Sequence, residues 1–344
     1  MVVAFAAILH IFLLIIYSFK QLSLGVIFML IKPFAPTHYL DALRKLSNRL
    51  SATHPLKQEL ERQWRSIEAG DLGEKIIVDT LGQLHPSEKY YVFHNLSLVL
   101  ESKIQIDILL LTANFAVVFE VKNIKGTIEL RQNPRQLVRH LSTGETHAFP
   151  SPEPQLEEYI HQLKVYFSHN HINLPIYGAV VFPFSSSYIE RTSSATTLLL
   201  KNDIKPYVRN LPLQKEPLSP RQLEKLVYSL SKQHTDYNPY PLLKRYNLSR
   251  KDVLNGVACP NCRKLYMRRI NMHWYCTYCH HTSRDAHVQA IYDYFALIDS
   301  SISSLECYQF LGLANSRQAY RLLSQMKLQK IGKFKDARYI PDYQ

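Results

Sequence analysis

Two carboxylates and a lysine fall on two predicted strands in the first half of the chain, where their types suit the binding of a hard divalent cation. The strands read KIQIDILLL (103–111) and FAVVFEVKNI (115–124). A two-residue turn between them would place Asp107 directly opposite Glu120, with Lys122 on the same face of the sheet. Opposed Cβ atoms lie about 4.5–5.5 Å apart, so the two carboxylates would repel each other without a cation between them. Mg²⁺ prefers one or two carboxylates and retains several waters.

A surface ion pair between Glu120 and Lys122 on an edge strand is the alternative explanation. The apolar VVF and ILLL runs around these residues favour a site, because a charge placed among buried strands is costly. Lys122 would then position or help to activate the attacking water and stabilise charge on a phosphate. The pattern therefore predicts metal-assisted chemistry on a phosphate group.

A helix and a further strand precede this pair. The segment AGDLGEKIIVDTLGQL (69–84) has apolar residues at helical spacing and carries Glu74 near its start. The segment KYYVFHNLSLVL (89–100) has the composition and length of a strand. The order of elements predicts an α/β domain.

These residues resemble the core of the restriction-endonuclease-like nucleases. The segments GEKIIVDTL, QIDILLL and VVFEVKNIKGTI resemble, more specifically, the NERD or nuclease-related domain, over residues 68–184. The resemblance implies a mixed sheet flanked by helices, with Glu74, Asp107 and Glu120 holding Mg²⁺ or Mn²⁺ and Lys122 as the catalytic lysine.

The resemblance extends to a downstream helix, SPEPQLEEYIHQLKVYF. Its Gln155 and Tyr159 have the QxxxY spacing of RecB-type relatives, which implies that they support substrate or metal placement. One departure is Ile108, which stands where relatives often have a histidine after the aspartate.

Four cysteines form a second candidate metal site. CPNC (259–262) and CTYC (276–279) are separated by 13 residues. This spacing supplies four thiolates for one tetrahedral, structural Zn²⁺, with Cys259, Cys262, Cys276 and Cys279 as ligands. The segment resembles a zinc ribbon. Arg268 and Arg269, interleaved with aromatic residues, suit a nucleic-acid strand, although the aromatic residues could instead pack the small domain.

The C-terminal residues predict three helices followed by a basic hairpin, and this order resembles a winged helix-turn-helix. On the third helix, SRQAYRLLSQM (316–326), Ala319, Leu322, Leu323 and Met326 would point inward. Arg317 and Arg321 would face DNA, and Lys333, Lys335 and Arg338 would line the wing. A protein-docking module is the alternative.

Composition narrows the function classes. The 344 residues carry 41 basic and 28 acidic side chains, a formal net charge of +13, which suits nucleic acid or an anionic membrane surface. The chain has only 10 glycines, and neither GxGxxG nor GxxxxGK[ST] occurs. Phosphate chemistry would therefore rest on a metal and carboxylates. A hydrophobic fraction of 46% excludes a disordered chain.

The N-terminal residues are strongly apolar. Residues 2–17 read VVAFAAILHIFLLIIY, and 18–19 extend the run to 18 residues, at the lower edge of the roughly 17–25 that span a bilayer. The basic residues follow this run, which predicts a single-pass anchor with the bulk of the chain in the cytoplasm. A buried helix of a soluble protein is the alternative.

The sequence thus predicts an α/β protein with a restriction-endonuclease-like core, an N-terminal membrane helix and small C-terminal zinc-ribbon and winged-helix modules. The expected segments are a membrane anchor (1–35), a connecting helix (36–67), the nuclease-like domain (68–184), a helical, Pro-rich connector (185–252), the zinc ribbon (253–285) and the winged-helix-like segment (286–344). The expected function is metal-dependent hydrolysis of DNA. The alternatives are a non-catalytic DNA-binding or tethering protein and an RNA-directed nuclease.

Overall fold

The computed structural model describes residues 28–32, 34, 38–84, 89–191 and 196–342. The chain divides into two compact units. The first comprises residues up to 35 together with 68–236, and the second comprises 36–67 together with 237–344.

The described residues form helices and strands in alternating groups. The helices are α1 (His38–Arg49), α2 (Lys57–Leu81), α3 (Pro152–His169), α4 (Ile204–Arg209), α5 (Pro220–Gln233), α6 (Leu242–Arg245), α7 (Ala286–Leu297), α8 (Ser304–Leu311) and α9 (Ser316–Gln325). The strands of the first unit are β1 (Phe28–Lys32), β2 (Tyr90–Val99), β3 (Lys103–Leu111), β4 (Ala116–Val121), β5 (Thr127–Arg131), β6 (Gln136–His140), β7 (Thr146–Pro150), β8 (Ile176–Phe182), β9 (Tyr188–Arg191) and β10 (Thr197–Leu200). Those of the second unit are β11 (Met267–Ile270), β12 (His273–Cys276), β13 (Thr282–Ser283), β14 (Ile302–Ser303), β15 (Leu328–Ile331) and β16 (Arg338–Pro341).

A six-stranded mixed sheet forms the centre of the first unit. Its strand order is β1-β2-β3-β4-β8-β10. The β2–β3 and β3–β4 pairs are antiparallel, whereas β1, β8 and β10 pair in parallel with their neighbours. A second sheet has the order β7-β6-β5-β9.

Helices cover both faces of the six-stranded sheet. Apolar residues of α2 and α4, such as Ile77 and Ile204, pack with one set of strand residues. Residues of α3 and α5, such as Leu156 and Leu226, pack with the alternate set. Because successive strand residues point to opposite faces, each long strand contributes to both layers. The predicted mixed sheet flanked by helices is confirmed.

The β3–β4 hairpin has the predicted register. Ile108 pairs with Phe119 and Leu111 with Ala116, and Thr112 N–H donates to the carbonyl of Phe115 over 3.0 Å. The Thr112 hydroxyl also accepts from the N–H of Phe115, at 3.0 Å, which fixes the turn. Asp107 and Glu120 are therefore next in line along the two strands.

Most of the predicted membrane anchor, residues 1–35, lies outside the described residues. Its segment Phe28–Lys32 is β1, an edge strand paired in parallel with β2. The apolar run at residues 2–19 lies wholly outside the described residues, so the predicted anchor helix stays a prediction. Among the described residues, no helix is long and apolar enough to cross a membrane.

Residues 36–67 contain two helices instead of the single predicted connecting helix. The chain turns between α1 and α2, where Pro55 disfavours helical backbone for the residue before it. From Lys57 the helix continues for 25 residues, so the predicted amphipathic helix at 69–84 is the C-terminal part of α2. The boundary between the two units falls inside this helix.

The predicted connector, residues 185–252, supplies parts of the first unit's core. β10 is an edge strand of the six-stranded sheet, and α5 packs on β2 and its neighbours. The helix starts as predicted, with Pro220 in its first turn and Ser219 in a capping box with Gln222. An amphipathic helix requires a partner for its apolar face, which explains why this segment is not a free linker.

The second unit contains two small sheets, β11-β12-β13 and β14-β16-β15. The predicted zinc segment and the C-terminal helices share one hydrophobic cluster that includes Trp274, Ile291, Phe310 and Leu322. The three predicted helices and the hairpin are present, and the short strand β14 adds a third strand beside β16.

A buried arginine joins α1 to this cluster. Arg49 is 2% exposed, and its guanidinium lies 3.1 Å from the carboxylate of Asp293. It also donates to the carbonyls of Leu254 and Gly256 and lies over the ring of Phe310 at 4.7 Å. Burial lowers the pKa of Arg49, and the Asp293 charge opposes this shift. A residue so enclosed is stabilised by its partners, and loss of one would leave a buried charge.

Two glycines in α2 give a matched test of helix–sheet packing. A Cβ on Gly73 would lie 2.9 Å from Cβ of Asn123 and 3.3 Å from Cγ of Pro183, whereas one on Gly70 would meet nothing within 4 Å. Gly70→Ala should therefore raise the free energy of unfolding by about 0.5–1 kcal/mol through helix propensity. Gly73→Ala should lower it by about 1 kcal/mol or more, because the helix must move away from the sheet.

Urea denaturation of the two variants beside the parent protein measures both effects. A stabilising Gly73→Ala substitution would contradict the close packing of α2 against Asn123.

Candidate active site and metal centre

The strand ladders on both sides of Asp107 are interrupted at that residue. On the β2 side, His94 pairs with Ile108 and Leu96 with Ile106, but Asn95, between them, has a positive φ of 51°. Asparagine tolerates this left-handed conformation better than most residues. On the β4 side, the Asp107 carboxylate accepts a hydrogen bond from the backbone N–H of Val121, with Oδ2 at 2.8 Å. The Asp107 side chain thus accepts a hydrogen bond from the β4 backbone at the point where the β3–β4 ladder ends.

Glu120 is the most enclosed acid of the site. It is 1% exposed, and its Oε1 accepts from Nζ of Lys122 at 2.5 Å. Its Oε2 is buried and, within the described part of the chain, has no hydrogen-bond partner. A buried carboxylate oxygen without a donor is costly, so this oxygen is suited to a cation.

Glu74 reaches the site from α2 and is held by a buried histidine. Nε2 of His94 lies 2.6 Å from Oε2 of Glu74, and the histidine is 1% exposed. The ring of Phe34 lies 4.9 Å from that of His94. Asp71, one turn earlier on α2, is also buried. Sequence reasoning missed both His94 and Asp71. The i, i+3 spacing of Asp71 and Glu74 was a signal, but nothing in the sequence pairs His94 with α2.

The three carboxyl groups hold their protons unusually tightly. Burial raises the pKa of Glu74 to about 8, and the charges of Asp71 and Glu120 add to the shift. Burial, and then the Glu74 charge, raises the pKa of Asp107 to about 7. The pKa of Glu120 is raised to about 8 by burial and by Asp107. Such mutual repulsion is relieved by a positive charge among the groups.

The predicted Gln155–Tyr159 pair lies on α3 near these acids. Nε2 of Gln155 donates to the Tyr159 hydroxyl at 2.8 Å. Burial raises the pKa of Tyr159, and the charges of Glu120 and Asp107 contribute to the shift. Tyr159 in turn affects the pKa of Lys122. The structure therefore brings all six predicted residues of this site into one neighbourhood.

The carboxylates fit a hard divalent cation in type and burial. Oxygen donors are what Mg²⁺ and Mn²⁺ prefer, and Glu120 offers an oxygen without a hydrogen-bond donor. Asp107 uses only one oxygen for Val121, which leaves the other for a ligand. Among the described residues, the four cysteines form the one group of three or more His, Cys, Asp or Glu side chains placed to hold a metal ion, and Glu74, Asp107 and Glu120 do not form a second one.

The four cysteines lie in two loops with the same backbone geometry. In the first, Cys259 N–H donates to Lys264 O at 2.9 Å, and Arg263 N–H donates to Cys259 O at 2.8 Å. In the second, Cys276 and His281 make the corresponding bond at 2.9 Å, and His280 N–H donates to Cys276 O at 3.0 Å. The residue after each pair, Arg263 or His280, has a positive φ near 60°.

The sulfur positions match a tetrahedral zinc site. The Sγ atoms of Cys259 and Cys279 are 3.6 Å apart, those of Cys262 and Cys276 are 3.7 Å apart, and all four lie within 4.8 Å. Zinc–sulfur bonds of about 2.3 Å in a tetrahedron require sulfur separations of about 3.8 Å. The cluster could therefore hold one structural Zn²⁺, as the spacing predicted. His280 and His281 are outside the cluster.

The other predicted contact residues differ in accessibility. Arg268, Arg317, Arg321 and Lys333 are exposed. Arg269 is half-buried, with its guanidinium 5.3 Å from the ring centre of Trp274, and the pKa of Arg269 is lowered by burial. The side chain of Lys335 lies outside the described part of the chain.

Arg338, which was predicted to line the wing, lies on β16 and is partly exposed. Its guanidinium forms an ion pair with Glu306 at 3.0 Å and donates to Ser301. This arginine ties β16 to β14, because strand pairing places it next to these acceptors, and its place in a DNA-contacting wing stays a prediction. On α9, by contrast, Ala319, Leu322 and Leu323 are buried as predicted, and Met326 packs partly against the cluster.

The raised pKa values predict a pH-dependent stability. A carboxyl group ionises near pH 4 in the unfolded chain, but Glu120 keeps its proton up to about pH 8 in the folded protein. The folded state therefore binds more protons between these values, and the stability that this provides is lost as the pH rises toward 8. Glu120→Gln should become more stable than the parent at pH 8–9, by about 1 kcal/mol or more, and similar to it near pH 4–5.

Chemical denaturation at several pH values without added divalent cation measures this difference. Because both proteins carry the same cysteine cluster, subtraction removes its contribution. A difference independent of pH would show that Glu120 ionises normally in the folded protein.

The cysteine geometry predicts one bound zinc per chain. Cys259→Ser should lose this zinc and destabilise the second unit, since Cys259 and Cys276 lie in its hydrophobic cluster. Cys307→Ala is the matched control for zinc content, because Cys307 is equally buried in the same hydrophobic cluster but is not one of the four grouped cysteines. Metal analysis of the purified proteins gives the stoichiometry. Full zinc in Cys259→Ser would contradict the ligand set.

A comparison with known protein families gave a match within the first unit. Residues 69–183 match the family model described as NERD, nuclease-related domain. Comparisons with curated proteins and with solved structures gave no match. The matched range contains Glu74, Asp107, Glu120 and Lys122 on the elements described above. The chain therefore contains a nuclease-related domain at residues 69–183, accompanied by a four-cysteine, zinc-ribbon-like segment.

Proposed function

We propose that the protein is a metal-dependent nuclease that hydrolyses phosphodiester bonds of DNA. The observation that carries the proposal is the buried group formed by Asp107, Glu120 and Glu74, with Lys122 bonded to Glu120. A family match to a nuclease-related domain over the same residues supports it. The chain has no phosphate-cradling glycine motif, so phosphate chemistry would depend on this group.

The acids have a specific division of tasks in this proposal. Glu120 and Asp107 would hold the cation with oxygens left by Lys122 and Val121, and Glu74 would join them from α2. A bound Mg²⁺ or Mn²⁺ would supply positive charge that stabilises the phosphate as negative charge develops on it. His94 positions Glu74 through its 2.6 Å hydrogen bond and touches no substrate in this arrangement.

Lys122 acts as a cation and not as a base. Burial alone would lower the pKa of Lys122, but the charge and hydrogen bond of Glu120, aided by Asp107 and Tyr159, raise it above its usual value. The ammonium group therefore stays protonated at neutral pH. Its side chain is 27% exposed, so Nζ can contact a phosphate oxygen or the attacking water while it remains bound to Glu120.

DNA as the substrate is supported by exposed basic residues in the second unit. α9 carries Arg317 and Arg321 on its solvent face, and the adjacent hairpin carries Lys333. The unit's order of helix, strand, two helices and two strands supports the proposed winged-helix arrangement. Helices and wings of this kind contact DNA grooves and phosphates.

The proposal is tested with the purified full-length chain, labelled duplex DNA, single-stranded DNA and RNA, and added Mg²⁺ or Mn²⁺. Asp107→Asn and Glu120→Gln should each reduce cleavage by at least about 100-fold, and Lys122→Met by a similar factor. Loss of cleavage on addition of EDTA and its return with excess Mg²⁺ would link activity to the cation.

The matched control is Asp79→Asn, because Asp79 is an exposed acid on the same helix as Glu74, where it pairs with Lys75. This variant should cleave like the parent. Equal activity of the parent and the Asp107 or Glu120 variants would refute the catalytic role. If the parent and all variants bind DNA but none of them cleaves it, a non-catalytic role would be supported. Faster cleavage of RNA than of DNA would change the proposed substrate.

A further inference from the structure

Two exposed tyrosines lie side by side on the zinc segment, outside the candidate active site. Tyr266 is 53% exposed and Tyr278 is 58% exposed. Their ring centres are 6.1 Å apart, and the ring planes differ by 23°, so the rings are nearly parallel. Exposed aromatic faces of this orientation are unusual in a small module that needs its aromatic residues for packing.

The two rings are held by the cysteine loops. Tyr278 lies between Cys276 and Cys279, in the second loop. The backbone N–H and hydroxyl of Thr277 donate to the carbonyl of Tyr266, at 3.1 and 3.2 Å. The backbone of Tyr266 is therefore bonded to the loop that carries Tyr278, so bringing the two residues together on binding a ligand would cost little backbone conformational entropy.

A cation is placed on this surface. Nζ of Lys264 lies 3.2 Å from the centre of the Tyr278 ring. Residues 253–284 contain five basic side chains, Arg263, Lys264, Arg268, Arg269 and Arg284, and no Asp or Glu. A zinc centre with four thiolates carries two negative charges, so the segment keeps a net positive charge. Lys264 thus covers one face of the Tyr278 ring, and the surface offers the remaining aromatic area of the two tyrosines together with a positive charge that attracts a polyanion.

The core of the module does not require these two residues. Trp274 is fully buried in the cluster of the second unit, together with Cys259 and Cys276, and Arg269 lies over it. The aromatic and basic residues of this segment thus separate into an inward set and an outward set. Tyr266, Tyr278 and Lys264 belong to the outward set.

We propose that Tyr266, Tyr278 and Lys264 form a binding site for single-stranded nucleic acid, in which bases stack on the tyrosine rings and Lys264 contacts the backbone. Every base has a flat aromatic face, so such a site tolerates any sequence. A duplex hides those faces in its stack and offers only its phosphates. The site is separate from the carboxylate group, and it would exist whether or not the first unit cleaves nucleic acid.

The test uses the full-length chain with Glu120→Gln as the parent and no added divalent cation, so that cleavage does not interfere. Fluorescein-labelled (dT)12, (rU)12 and a 12-base-pair duplex are titrated, and binding is measured by anisotropy. Tyr266→Ala and Tyr278→Ala should each weaken single-strand binding at least about five-fold, and the double variant about ten-fold or more. Duplex binding should change by less than about two-fold.

Four further variants sharpen the result. Tyr266→Phe and Tyr278→Phe should bind like the parent, because the ring face is retained. Lys264→Gln should reduce the slope of log affinity against log salt concentration by about 0.7, the value of one phosphate contact to a single strand. Tyr228→Ala is the matched control, since Tyr228 is also 53% exposed with Lys232 near its ring, at 5.7 Å, but has no second aromatic ring beside it among the described residues.

The inference is overturned if the double variant keeps its zinc and binds both single strands within two-fold of the parent. It is also overturned if duplex binding falls as much as single-strand binding, which would indicate a charge-only surface. A selective loss on (dT)12, on (rU)12 or on both supports it and shows which polymer the site accepts. Because the parent is the Glu120→Gln variant, the outcome does not depend on the proposed hydrolysis.

Discussion

Burial of ionisable carboxyl groups against the central sheet is the constraint that shapes the first unit. Asp107, Glu120 and Glu74 each lie where an apolar residue would be more stable, and each is held by a different device. Asp107 accepts a backbone N–H of the neighbouring strand, Glu120 accepts from Lys122, and Glu74 accepts from or donates to His94. These partners satisfy only part of the hydrogen-bonding capacity of each carboxyl group. Within the described residues, one oxygen of Glu120 has no hydrogen-bond donor.

The backbone around these acids departs from regular strand and helix geometry. The β2–β3 ladder skips Asn95, which adopts a left-handed conformation. Gly73 places α2 so close to Asn123 that no Cβ fits without movement, although glycine inside a helix is less stable than alanine by up to about 1 kcal/mol. The side chain of Asn123 donates to the carbonyl of Ala69 and so closes the same contact. Each departure from ideal geometry thus serves to bring an acid to the site, as expected where function overrides local propensity.

Local patterns allowed much of this unit to be predicted, and long-range contacts account for the rest. The register of the β3–β4 hairpin could be predicted from the two-residue turn. Side chains alternate between the two faces of a strand, so only one pairing keeps the apolar residues on the same face. His94 could not be assigned, since its contact with Glu74 joins β2 to α2 and no spacing encodes it. The positions of β10 and α5 could not be predicted either. Their apolar faces indicated that each packs against another element, but not which element that is.

In the second unit, the ligand positions decide which way the neighbouring side chains point. Cys276 faces the other three cysteines of the group, and it is buried at the end of β12. Alternation along a strand then turns Trp274 inward and Tyr275 outward, and the pairing of Trp274 with Arg269 brings that arginine over the indole. Tyr266 and Tyr278 lie in the loops beyond the strands, where no alternation applies, and the backbone N–H and hydroxyl of Thr277 hold the Tyr266 carbonyl. The basic and aromatic residues of this segment therefore form two groups, one that packs inward and one that is exposed. The sequence spacing alone does not separate the two groups, but the positions of the four cysteines do.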